Sequence, residues 1–253
     1  MDDVIAGRNP VREALKADRP INKIMIAGAV LSGPLQEIFT KAREKNIPVQ
    51  KVDRRRLNKF VPEASHQGVV ALVAAREYVD IEDILVSVKP GEAPFLFILD
   101  EIHDPHNLGA ILRTACAAGA HGVIIPRRRS APLTPAVAKS SAGAIEYMPV
   151  ARVANIAQTI DVLKRKGLWI AGADAGGNEI FWDARLDGPM ALVIGGEDKG
   201  LGRLIKERCD VLVRLPMNGR VNSLNASVAA ALLAYEVLRQ RRKALKDEGV
   251  FSG

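Results

Sequence analysis

The chain has 253 residues, 48% of them hydrophobic and 26% charged, which suits one large or two modest folded domains and excludes extensive disorder. The formal charge of +7 favours a polyanionic partner, and it is uneven, with a net +5 over residues 1–78 and +2 over 79–253. Cys116 and Cys209 are the only cysteines and form no C-x-x-C, which excludes a disulfide framework or a cysteine-rich zinc site.

In chain order, Asn9-Pro10 before Val11, Ala14 and Leu15 predicts a helix capped by Asn9. Residues 23–27 read as a strand, Leu35, Ile38, Phe39 and Ala42 follow at helical spacing, and residues 48–52 read as a second strand. Arg54-Arg55-Arg56 opens another helical stretch, and the apolar run 68–74 predicts a buried strand. This is a compact α/β domain over residues 1–75. Residues 76–94 hold a short helical piece and then Lys89-Pro90-Gly91, the composition of a linker. From Phe95 onward, strands at 95–99, 123–125, 169–171, 191–194 and 211–215 alternate with helices at 108–118, 154–166, 201–207 and 223–245. Apolar strands separated by helices predict a mostly parallel α/β sheet covered on both faces, over a second domain at 95–253. The start Met1-Asp2-Asp3 has the wrong sign for a signal peptide, and no apolar run reaches ~18 residues. A soluble cytoplasmic protein with no membrane partner is expected.

Ligands of open α/β sheets sit beyond the carboxyl ends of strands. Three strand ends are rich in polar residues and glycine: 100–113 with Asn107 and Arg113, 195–202 with Gly195, Gly196 and Glu197, and 216–227 with Met217, Ser223, Leu224 and Asn225. Each has a plain structural reading. Asn107 and Ser223 could be helix caps, Arg113 a solvated helix residue, and Gly195-Gly196 a tight turn. His103 and His106 lack a third ligand nearby, so no metal site is expected. The glycine segment is neither G-x-G-x-x-G nor G-K-[ST], which disfavours a nicotinamide oxidoreductase or a P-loop enzyme, and G-x-S-x-G is absent.

Taken together, the three clusters resemble the motifs of the SpoU (TrmH-type) branch of the SPOUT methyltransferases: Asn107, Gly109 and Arg113; then Gly195, Glu197 and Gly200; then Pro216, Met217, Ser223, Leu224, Asn225 and Ser227. The front segments Gly7-Arg8-Asn9-Pro10-Val11 and Ser65-His66-Gln67-Gly68-Val69 resemble that family's substrate-binding domain, which has a ribosomal-protein-like α/β fold. The RlmB-like enzymes, which methylate a guanosine ribose in 23S ribosomal RNA, are the subgroup most resembled. The resemblance implies a C-terminal trefoil knot, S-adenosylmethionine as methyl donor, an RNA substrate and a homodimer. Gly195, Gly196, Leu215, Met217 and Leu224 would hold the donor. Asn107, Arg113, Glu197, Ser223 and Asn225 would serve catalysis, with Glu197 ordering Arg113 or the knot. A guanidinium is too basic to take up a proton, so Arg113 would stabilise the developing oxyanion and clamp phosphate. Arg8, Arg54, Arg55, Arg127 and Arg128 are candidate phosphate contacts. A transfer RNA guanosine is the alternative substrate. A non-catalytic RNA-binding or assembly protein is the alternative of another class.

Overall fold

The computed structural model describes residues 3–28, 33–62, 66–73, 77–196 and 199–247. They form two compact units, Met1–Glu77 with Pro132–Tyr147, and Tyr78–Ala131 with Met148–Gly253.

In the first unit, β1 (Asp3–Ala6), α1 (Arg8–Lys16), β2 (Ile21–Ala27), α2 (Pro34–Glu44), β3 (Val49–Val52), α3 (Arg54–Leu57) and β4 (Val69–Val73) follow one another. The sheet order is β1-β4-β2-β3, parallel only between β2 and β3. Strand β2 is buried on both faces. Ile24 and Ile26 join Val11, Leu15 and Ile38 under the helices, while Met25 packs with Leu57 and Val70 on the other side. Asn9 does not cap α1: the cap is Gly7, the helix opens at Arg8, and the Asn9 side chain accepts from Arg12 at 3.1 Å. Pro10 therefore lies in the first turn, where its missing N–H leaves no intrahelical bond unmade. The segment 132–147 supplies a helix, Pro135–Ser140, and a 3₁₀ turn, Ala144–Glu146, to this unit. Arg19 pairs there with Glu146 at 2.8 Å, with side chains only 8% and 2% exposed, and the Tyr147 hydroxyl donates to Glu13 at 3.0 Å.

The second unit opens with α4 (Ile81–Val86), whose Ile84 enters the core, so from Tyr78 the stretch expected as a linker is packed in this unit. It continues with β5 (Phe95–Asp100), α5 (Pro105–Ala117), β6 (Gly122–Pro126), β7 (Val150–Val153), α6 (Ile156–Arg165), β8 (Trp169–Ala173), β9 (Glu179–Ile180), β10 (Met190–Gly195), α7 (Arg203–Arg208), β11 (Val211–Arg214) and α8 (Ala226–Asp247). The sheet order is β7-β6-β5-β10-β8-β11-β9, with every pairing parallel. All six residues of β5 are buried, as an inner strand covered on both faces requires. The register sets Gly195 beside Asp100, so β5 and β10 end level with each other. No helix among the described residues is long and apolar enough to cross a membrane.

Candidate active site

The ends of β5 and β10 lie side by side, although the chain leaves β5 towards β6 on the opposite flank of the sheet. Such a switch point leaves a crevice outside the strand ends. Its floor is shaped by glycine. A Cβ on Gly195 would lie 2.3 Å from the Gly200 carbonyl carbon, and one on Gly196 would lie 2.6 Å from the Glu101 carbonyl oxygen. The space a side chain would need is filled by the protein's own backbone. Gly200 N–H donates to the Gly196 carbonyl at 2.9 Å, holding these two glycines together at the end of β5. Gly202 N–H then donates to Asp100 Oδ2 at 3.2 Å. Burial pushes the Asp100 carboxyl above its usual pKa, opposed by that backbone hydrogen bond.

Two cavities flank this glycine pair. The larger, about 340 Å³, lies over the ends of β8, β10 and β11, lined by Gly195, Gly196, Leu215, Met217, Ser223 and Leu224 among others. The smaller, about 260 Å³, holds Glu101, His103, Asp104 and Asn107 and shares Gly196, Lys199 and Gly200 with the first. Asp104 caps α5, its carboxylate accepting the His106 N–H at 2.9 Å, which leaves Asn107 buried in the first turn without a capping duty. Asn225, rather than Ser223, caps α8: its Oδ1 accepts from Ser227 N–H at 2.9 Å and from the Ser227 hydroxyl at 2.6 Å. The Asn225 Nδ2 donates to Asn107 Oδ1 at 3.0 Å, joining the first and third motifs directly.

Of the residues expected in the site, Gly195, Gly196, Leu215, Met217, Ser223 and Leu224 share one cavity, and Asn107 and Asn225 meet beside it. Arg113 lies about two turns along α5 from Asn107, exposed, and lines neither cavity. Glu197 lies outside the described residues. Arg8 and Arg54 line an open hollow of about 720 Å³ in the first unit with Lys51 and Gln67, and Arg8 Nε donates to the Gln67 carbonyl at 3.2 Å. Arg55 is exposed on α3. Arg127 and Arg128 are exposed after β6, next to Arg129, which donates to Glu101 at 2.9 Å. Sequence reasoning missed Asp174 and Lys206, which pair at 2.5 Å in the wall of the larger cavity, and Lys199. The available signal was the polar end of β8, Asp174-Ala175-Gly176-Gly177, another strand end on the same edge.

The model of the SpoU rRNA methylase family matches residues 94–235, and that of the RNA 2′-O ribose methyltransferase substrate-binding domain matches residues 4–79. YacO of Bacillus subtilis (strain 168), named for the TrmH family of tRNA/rRNA methyltransferases, is 50% identical over 94% of this chain and 96% of its own length. A protein of the same designation from Staphylococcus aureus (strain COL) is 49% identical over 95% and 97%. Among solved structures, the SpoU methyltransferase AviRb from Streptomyces viridochromogenes superposes with a TM-score of 0.82 at 28% identity, covering 96% of this chain and 91% of AviRb. AviRb in complex with the cofactor AdoMet superposes at 0.80 and 26% identity, covering 95% and 91%. With both halves matched, and relatives alike over almost their full length, the chain belongs to the SpoU family of RNA methyltransferases.

Proposed function

We propose that the protein transfers a methyl group from S-adenosylmethionine to the 2′-hydroxyl of a guanosine ribose in 23S ribosomal RNA. The observation that carries the reading is the 340 Å³ cavity, where the loops after β10 and β11 meet over an apolar wall of Leu215, Met217 and Leu224. That wall suits an adenine, and the close-packed glycines beside it bring backbone donors and acceptors within reach of a nucleoside. When bound, the donor supplies an activated methyl on a good leaving group, so the protein's work is alignment and charge. Asn107 and Asn225, held to each other beside the adjoining cavity, orient the acceptor ribose. Arg113 meets the negative charge that develops on the oxygen. Because Arg113 lines neither cavity of its own chain, this reading has it act across a homodimer, in the site of a second copy.

The trefoil threading implied by the motifs belongs to the same reading. So does the division of labour in which residues 1–75 bind RNA through Arg8, Arg54 and Arg55, and residues 95–253 catalyse. Arg127 and Arg128 would hold phosphates near the site. Ribosomal RNA is preferred to transfer RNA on the resemblance of the front segments, Gly7-Arg8-Asn9-Pro10-Val11 and Ser65-His66-Gln67-Gly68-Val69, to the RlmB-like substrate-binding domain. The test is calorimetry with S-adenosylmethionine, followed by mapping of ribose methylation on 23S ribosomal and transfer RNA incubated with the protein. One methylated 23S guanosine is expected. Methylation confined to transfer RNA would replace the substrate, and absence of donor binding would remove the activity.

A further inference from the structure

Among the described residues, the charges that line the two cavities are accounted for, with one exception. Glu101 is neutralised by Arg129 at 2.9 Å, and Asp104 is occupied in capping α5 through the His106 N–H at 2.9 Å. In the larger cavity Asp174 and Lys206 satisfy each other at 2.5 Å. Lys199 remains. It lines both cavities, is exposed, and has no hydrogen bond or ion pair among the described residues. Its ammonium is thus an unengaged positive charge at the junction between the space read as the donor's and the space read as the acceptor's.

In RNA the carbon bearing the 2′-hydroxyl adjoins the carbon whose oxygen carries the 3′-phosphate. A nucleotide that presents its 2′-oxygen at this junction therefore brings its own phosphate to the same place. A compact ammonium on a flexible stem is suited to a phosphate oxygen, which it meets as a point charge. The same charge is unsuited to a sulfonium, which it repels. We propose that Lys199 binds the phosphate on the 3′ side of the target ribose and so sets the position of the RNA strand against the methyl donor. The proposal rests on the assignment of the two cavities made above. Lys199 is a substrate-binding, positioning residue in it, and takes no proton.

The experiment compares the wild type with Lys199→Gln and Lys199→Arg, varying RNA and donor separately, with donor affinity measured by calorimetry in the absence of RNA. Lys199→Gln is expected to raise KM for RNA about tenfold, the worth of one charge-assisted contact, with kcat and donor affinity little changed. The logarithmic salt dependence of RNA binding should flatten by about 0.7–0.9, the release of one phosphate contact. Lys199→Arg should restore most of the loss, since it keeps the charge. Weakened donor affinity with unchanged KM for RNA would overturn the proposal by placing the lysine on the donor's carboxylate, and an indifferent Gln variant in an active enzyme would overturn it outright. A wild type that binds no donor would defeat the functional reading, and this assignment with it, a result distinct from either.

Discussion

Gly196 is a residue whose replacement has a calculable consequence. A methyl there would meet the Glu101 carbonyl oxygen at 2.6 Å, and that oxygen belongs to backbone anchored at the end of β5. Gly196→Ala must displace its own backbone or the strand end, at about 1–3 kcal/mol by the usual cost of overpacking, and should weaken donor binding with it. Thermal melts and calorimetry on the variant check both. Asn225 has two duties, so its loss is felt twice. Asn225→Ala should lower stability by about 1 kcal/mol through the lost cap and reduce kcat through the loosened Asn107, whereas Asn225→Asp keeps the cap alone and should keep most of the stability but not the rate. A wild-type rate in the Asp variant, or equal losses of stability in the two, would contradict this. Asp100 gives a pH dependence of known sign. Its folded-state pKa is raised by burial, so its contribution to stability is greatest below the ordinary aspartate range, near 3.8, and falls as pH rises through the folded value. Asp100→Asn, whose carbonyl can still accept from Gly202, should therefore gain in Tm relative to the wild type as pH rises from below 3.8 through the raised folded value. A difference that does not grow with pH would show that the carboxylate carries no such penalty.

Elements differ in how far the sequence announces them. Strands β5 and β10 are apolar almost throughout and stand out from their surroundings. Strand β7 does not, because Arg152 interrupts it; the guanidinium leaves the sheet by stacking on Tyr78 at 4.7 Å and donating to the Arg127 carbonyl at 2.8 Å. Strand β1 is too short, and opens with a charge, to show any period. The residues of the three motifs were legible because their types and spacing are unusual. The Asp174–Lys206 pair was not, since it joins a strand end to a helix remote in sequence and only folding creates the neighbourhood. On α8, Val228, Leu232 and Tyr235 recur on one face and are 43–53% exposed, an apolar stripe that nothing in a single chain covers among the described residues. If a second copy packs there, Tyr235→Arg should yield a monomer by sedimentation and lose methylation while retaining donor affinity. A dimeric variant would clear this face of that role.

At the scale of the molecule, the parallel sheet and the uneven charge were both foreseeable from composition and period. The membership of residues 132–147 was not, because they fall inside the stretch from 95 onward that reads as one domain, while their partners, Arg19 and Glu13, lie far earlier in the chain. Separating Arg19 from Glu146 is costly because both are buried. Glu146→Ala should remove about 3–5 kcal/mol, read as a fall in the denaturant midpoint. The same pair constrains how the protein can be cut. The leading unit is written in two instalments, so an excised piece ending at Glu77 carries Arg19 without Glu146. Any exchange of RNA-reading modules between relatives of this architecture must then move two stretches of chain together, and a chimera joined at one splice inherits a mismatched seam inside the transplanted module rather than at its border.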